Sequence, residues 1–183
     1  MIFETKRLLI RAAGEGDVGL FHALWTDPRV MRNVGFPRGL PVTHEGLKET
    51  LSRQGMSEFD RLLVVELKET GEAIGECKLS RPNQSGIAEP DVKLLTRFWG
   101  HRYGVEVWSA IVDYQFAHTD CTVVQATPNI ENTASIKMQE AVGAVHVGED
   151  VHRFPDSMHD YTTPVHHHIY RVNRVDWEQR RAV

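Results

Sequence analysis

"DVKLLTRFWGHRYGVEVWSAIVDYQF", residues 91–116, changes its period midway. The opening residues close an apolar strand that runs from Ile87 to Thr96. From Gly104 onward Val105, Trp108, Val112 and Phe116 recur at steps of three and four, with Glu106, Ser109 and Asp113 on the opposite stripe, the pattern of an amphipathic helix. The joint, Arg97–Tyr103, is too short for a P-loop, lacks the closing Lys-Ser/Thr, and does not space its glycines as G-x-G-x-x-G. A strand end running into a helix start nevertheless turns several backbone N–H groups outward, at the positive end of the helix dipole, and suits a phosphate or pyrophosphate. Gly100 and Gly104 free the backbone for unusual dihedrals and close ligand approach, while His101 and Arg102 add side-chain donors. The competing reading is a plain strand-to-helix turn with a surface arginine.

Working outward, Arg7–Ala12 reads as a first strand. Asp17 is placed to cap a helix carrying Val18, Phe21, His22 and Trp25, and Asp27-Pro28 starts another short turn. "VGFPRGLP" (34–41) is a loop, followed by a polar helix over 43–54. Strands around 61–67 and 72–79 flank Glu69-Thr70-Gly71, a hairpin signal. Beyond the quoted stretch come a strand over 121–127, a helix over 132–142, an extended segment over 145–147, the loop "DVHRFPDSMHD" (150–160), a strand over 165–172 and an arginine-bearing tail. This order predicts a mixed sheet with helices on both faces.

The chain of 183 residues predicts a single domain, 1–183, large enough to bury a core without disulfide or metal staples. A formal charge of −4 argues against a nucleic-acid surface. No apolar run approaches a membrane span, and the N-terminal residues show no signal-peptide pattern. Two distant cysteines, Cys77 and Cys121, fit a reducing compartment, so a cytoplasmic location is expected.

Three pieces then carry a resemblance: "T-x-R-L-x-I-R" from Thr5 with Asp27-Pro28-x-Val30-Met31, "W-G-x-x-Y-x-x-E" from Trp99 to Glu106, and "N-x-E-N-x-x-S" from Asn129 to Ser135. Over nearly its whole length the chain resembles the GNAT family of acyl-coenzyme A-dependent N-acetyltransferases. Within it, the resemblance is to the branch of the ribosomal-protein N-terminal acetyltransferases. The resemblance implies an α/β GNAT fold: a mixed, mostly antiparallel sheet of about seven strands, splayed between the fourth and fifth. The thioester arm of acetyl-coenzyme A would lie in that gap against the backbone of Leu94, Leu95 and Thr96, one amide facing the oxyanion. The turn, Arg97, Gly100, His101, Arg102, Tyr103 and Gly104, would wrap the pyrophosphate. The family pattern Q/R-x-x-G-x-G/A reads here as Arg97, Gly100 and Arg102, an arginine standing in the last glycine slot.

The resemblance also implies that Asn132 holds the pantetheine arm and that Ser135 sits by the sulfur as a proton relay; helix capping is the alternative for both. Many relatives carry a tyrosine acid near the end of this helix, whereas Met138, Gln139 and Glu140 stand here. Acyl transfer to an amine titrating near 10.4 requires proton removal, alignment and oxyanion stabilisation. Glu89 is the first choice as general base, with Asp91 two residues on and Glu76 as rivals; a solvated edge-strand charge is the alternative for each. His166 and His168 share a strand face, but no spaced third ligand is visible in the sequence and no metal is expected. The tail arginines 171, 174, 180 and 181 read as a solvated end balanced by Asp176 and Glu178. The expected activity is transfer of acetyl from acetyl-coenzyme A to a primary amine, either a protein N-terminus or a small amine; a homodimer is left open. The competing function is a non-catalytic coenzyme A sensor or scaffold.

Overall fold

In the computed structural model, residues 1–182 are described, and they run β1 (Phe3–Glu4), β2 (Leu8–Ala12), α1 (Val18–Thr26), α2 (Pro28–Met31), α3 (His44–Ser52), β3 (Leu63–Leu67) and β4 (Ala73–Lys78). There follow β5 (Ile87–Ala88), β6 (Asp91–Leu94), α4 (Tyr103–His118), β7 (Val123–Ala126), α5 (Thr133–Ala141), β8 (Val145–His152), β9 (Val165–Asn173) and α6 (Arg174–Arg181). The strands form two sheets, in the orders β1-β2-β3-β4-β6 and β5-β7-β9-β8. Every pairing is antiparallel except β5 with β7.

The division between the sheets has a local cause. The single strand predicted over 87–96 is two strands, because Pro90 has no N–H to continue a ladder. Ile87 and Ala88 pair with Val123 and Val124 in the second sheet, whereas Asp91 to Leu94 pair with β4 in the first. Glu89 and Asp91 therefore do not share one strand face, contrary to the sequence reading. β6 is left as the edge strand of its sheet, opening the expected splay.

Apolar residues of both sheets pack against α4. Leu8, Ile10, Leu63, Val65, Ile74, Val107, Trp108, Ile111, Phe116, Val124 and Val172 belong to one buried cluster. On the other face Phe21, Leu47 and Leu51 of α1 and α3 cover Val64. Thus α1 and α3 lie on one side and α4 on the other, as the order of elements predicts.

Three details differ from expectation. Asp17 makes no side-chain cap; its carboxylate accepts the Gly14 N–H at 2.9 Å and the Arg11 guanidinium at 2.9 and 2.8 Å. Arg11 also donates to Glu66 at 2.8 Å, tying β2, β3 and the start of α1 together. Second, β8 extends to His152, taking in the first residues of the predicted loop. Third, the tail is largely exposed, as expected, but it is anchored. It forms α6, where Arg174 donates to the carbonyls of Phe116, Thr119 and Cys121 at 2.7–2.8 Å and so satisfies the C-terminal end of α4. Trp177 Nε1 donates to Asp113 at 2.6 Å, and Arg181 pairs with the same carboxylate.

Burial alone would raise the Asp17 carboxyl, but Arg11 and Gly14 outweigh it and hold it below its ordinary value of 3.8. Its contribution to stability is therefore full above that value and is lost as pH falls through the depressed folded one. Asp17→Asn is expected to cost about 2 kcal/mol at pH 7, as loss of charged hydrogen bonds does. Urea denaturation at several pH values should show the gap to wild type closing below about pH 4.

Candidate functional site

The turn before α4 is built by two left-handed residues. Gly100 has φ +81° and Arg102 φ +62°; Arg102 is the one non-glycine residue with positive φ among those described. The family's preference for glycine in that slot thus has a backbone cause, and Arg102 bears the steric cost of an L-residue there. Within the turn, none of the N–H groups from Gly100 to Val105 donates to a backbone carbonyl. Six successive free donors at the start of a sixteen-residue helix form a nest, a backbone geometry that suits an anion. A Cβ on Gly100 would meet nothing within 4 Å, so the space beside it is open. Gly104 has a different reason: a Cβ there would come within 3.2 Å of Met138 Sδ, so this glycine lets α4 and α5 pack closely.

What holds the nest in place is visible only in three dimensions. The Thr5 hydroxyl donates to Glu106 Oε1 at 2.6 Å, and the Arg7 backbone N–H and Nε donate to the same carboxylate at 2.8 and 2.6 Å. Burial would raise the Glu106 carboxyl, but these bonds hold it below the usual range. Arg7 also donates to the His101 carbonyl at 3.2 Å and lies 4.3 Å from the Tyr103 ring centre. The N-terminal Thr-x-Arg and the Glu that closes W-G-x-x-Y-x-x-E are thus one clamp on the turn, across about a hundred residues of chain. Among the side chains expected to grip a pyrophosphate, Arg97 is paired with Glu72 at 3.0 Å. The His101 ring hydrogen-bonds the Trp99 carbonyl and stacks on Tyr103. Arg102 is exposed and forms no ion pair with any described residue.

Of the backbone expected to meet the thioester arm, Leu95 N–H is already donated to Ile74 O at 2.9 Å. Antiparallel alternation then turns the N–H and C=O of Leu94 away from β4, toward the open edge. There the Trp99 indole donates to the Leu94 carbonyl at 2.9 Å. Thr96 leaves the strand for a 3-10 turn. Leu95, Thr96 and Arg97 line an open cleft of about 490 Å³ together with Ala23, Asp27 and Arg29.

On α5, Asn132 is the N-cap, its Oδ1 accepting the Ser135 N–H at 3.2 Å. The capping alternative therefore holds for Asn132, and the bond leaves its amide NH₂ uncommitted. Ser135 lies one helical turn before Met138, which packs beside Gly104, so the joint and the nest are brought to one side of the molecule.

The three carboxylates separate. Glu89, at the break between the sheets, is exposed and accepts a hydrogen bond from Gln125 Nε2; Gln125 Oε1 in turn accepts from Arg171 at 2.8 Å. Asp91, on the exposed edge, is paired with Lys93, whose ammonium outweighs local desolvation and holds this carboxyl below its ordinary value. Glu76 is 3 % exposed, accepts from Trp25 Nε1 at 2.8 Å and lies 3.3 Å from Lys93 Nζ. Burial pushes its carboxyl up, with Lys93 and Trp25 opposing. Glu76, Lys93 and Asp91 thus form a charge cluster joining α1 to β4 and β6, and of the three carboxylates Glu89 alone has no ion-pair partner among the described residues.

The Acetyltransferase (GNAT) domain model matches residues 7–145. The chain is 28 % identical over 139 residues to the uncharacterized N-acetyltransferase p20 of Bacillus licheniformis, covering 73 % of this chain and 76 % of that one. Its fold matches the ribosomal-protein-S5-alanine acetyltransferase of Vibrio fischeri with a TM-score of 0.74 at 18 % identity, covering 96 % and 97 % of the two chains. It also matches the spermidine N-acetyltransferase of Vibrio cholerae, solved with coenzyme A and spermine, with a TM-score of 0.75 at 19 % identity, covering 93 % and 98 %. With a nest of free N–H groups at the head of α4, an open strand edge beside it and a family match that spans both, the chain belongs to the GNAT family and is an acetyl-coenzyme A-dependent acetyltransferase.

Proposed function

We propose that the protein moves an acetyl group from acetyl-coenzyme A to a primary amine by direct attack in a ternary complex. The observation that carries this reading is the run of free N–H groups from Gly100 to Val105, set beside the open edge of β6. The nest takes the diphosphate, with Arg102 adding a charge-assisted contact. The thioester arm lies along β6, held by the Asn132 amide, and the Leu94 N–H faces the developing oxyanion. Glu89 accepts the amine proton through water, oriented by Gln125 and Arg171. Ser135 hydrogen-bonds the departing thiolate. The absence of a tyrosine near the end of α5 costs little, because a thiol titrating near 8.5 leaves readily as its anion. The spermine-bound structural neighbour supports an amine as acceptor.

Arg102→Gly separates backbone cost from ligand contact. It is expected to stabilise the free protein by about 1 kcal/mol by removing a left-handed L-residue. It should weaken acetyl-coenzyme A about fivefold, the equivalent of ~1 kcal/mol for an exposed ion pair. Thermal melts and calorimetric titration measure the two effects.

Initial rates test the mechanism. Varying acetyl-coenzyme A against the best acceptor from a panel of polyamines, aminoglycosides and peptides should give intersecting double-reciprocal lines. Parallel lines, with an acetylated enzyme trapped in the absence of acceptor, would indicate a covalent route instead.

A further inference from the structure

We propose that His146, Glu149 and His168 form a binding site for a divalent transition-metal ion of the zinc type. The site is assembled by a β-bulge. Gly148 pairs with Ile169 and Glu149 with His168, but the register shifts between His146 and Gly148, so that His146 pairs with Tyr170. His168 and Tyr170 lie two apart on β9 and share a face. Without the bulge, residues three apart on β8 would point to opposite faces; with it, His146 and Glu149 both sit opposite that face. Of the pair His166 and His168 the structure recruits only His168, and the bulge brings it two ligands, His146 and Glu149, that the sequence spacing did not show.

The ligand atoms of the three side chains all lie within 4.8 Å of one another. Zinc bonds of about 2.0–2.1 Å in tetrahedral geometry place ligand atoms roughly 3.3 Å apart, within reach of modest side-chain rotation. His168 Nδ1 lies 3.0 Å from Glu149 Oε1, yet it is buried and makes no aligned hydrogen bond. The distance is that of a hydrogen bond but the alignment is not, which leaves this nitrogen without the partner that an ion shared with Glu149 would supply. The imidazole of His146 lies edge-on to that of His168, their centres 4.8 Å apart. Two imidazoles and a carboxylate match the donor preference of zinc, nickel and copper rather than of magnesium or calcium, and three protein ligands leave a position for water.

The site stands apart from the proposed catalytic carboxylate. Glu89 is linked through Gln125 to Arg171, and Arg171 points to the face opposite its strand neighbour Tyr170. The ion would instead pin the bulge of the β8–β9 ribbon. That ribbon carries the loop whose Phe154 packs on Phe36, their ring centres 5.4 Å apart, and whose Thr163 N–H donates to Gly35 O at 2.8 Å.

Calorimetric titration of the metal-free protein with zinc chloride tests the site. Wild type is expected to bind one equivalent and to melt at higher temperature with zinc than with EDTA. Cobalt(II) in wild type should develop visible absorption that zinc abolishes. His168→Gln, Glu149→Gln and His146→Ala should each weaken zinc by about tenfold or more, since even outer-shell partners of metal ligands cost that much. Their melts in EDTA should match wild type. A His22→Ala/His44→Ala variant, removing the other close imidazole pair at 4.0 Å, should bind as wild type does. No zinc binding by wild type, undiminished binding by His168→Gln, or loss confined to the His22/His44 variant would each overturn the site.

Discussion

Gly100→Glu is expected to abolish acetyl-coenzyme A binding in calorimetric titration, a loss of at least about a hundredfold. Two causes act together. The backbone at φ +81° disfavours any L-residue, by about 1–2 kcal/mol. The new carboxylate would also stand among the free N–H groups of residues 100–105, taking the place of the diphosphate and repelling it. At about 4 Å and an effective dielectric near 20, two like charges repel by about 4 kcal/mol, which corresponds to roughly a thousandfold in affinity. A Cβ at this position meets no protein atom, so the bulk falls on the ligand rather than on the core. Gly100→Ala isolates the backbone share: it should lower stability by about 1 kcal/mol while binding falls far less. If Gly100→Glu bound the donor as wild type does, the turn would not be the grip.

Glu89→Gln is expected to lower kcat by about 10²–10³-fold, the usual worth of a general base, with the dissociation constant of acetyl-coenzyme A unchanged. The amide keeps the size of the side chain and removes its basicity. In the pH–rate profile the acid limb reporting the base should vanish, while overall activity stays low. Glu76→Gln is the contrast. Its carboxylate lies beneath Trp25 beside Lys93, so the variant should disturb the Glu76–Lys93–Asp91 cluster and stability while preserving the acid limb. An acid limb that disappears with Glu76→Gln and survives Glu89→Gln would reassign the base.

Much of this architecture was legible along the chain because its causes are local. The period change near Gly104, the Glu69–Gly71 hairpin and the polar stretch before α5 each mark an element by the residues composing it. The break at Pro90 was equally local, but the apolar residues around it read as one continuous strand. The clamp of Thr5 and Arg7 on Glu106 was not legible, since it joins residues about a hundred apart whose only shared sign was membership of recurring motifs. Arg174 was misread for a similar reason: an arginine near a terminus looks solvated until the end of α4 is seen to need its donors. The roles of Asp91 and Glu76 turned on Lys93, whose position between them follows from the pairing of β4 with β6. His146 and Glu149 could not be joined to His168 without the bulge that sets their register.

The central claim, that this chain catalyses acetyl transfer to a primary amine, is tested most directly by following thiol release. Wild-type protein is mixed with acetyl-coenzyme A and, in turn, a polyamine, an aminoglycoside and a peptide with a free N-terminus. The account predicts thiol release that requires both substrates and matches the N-acetylated product mole for mole with at least one acceptor class. Tight donor binding with no release on any primary amine would contradict it and leave a coenzyme A sensor; no donor binding at all would remove the nest as its basis.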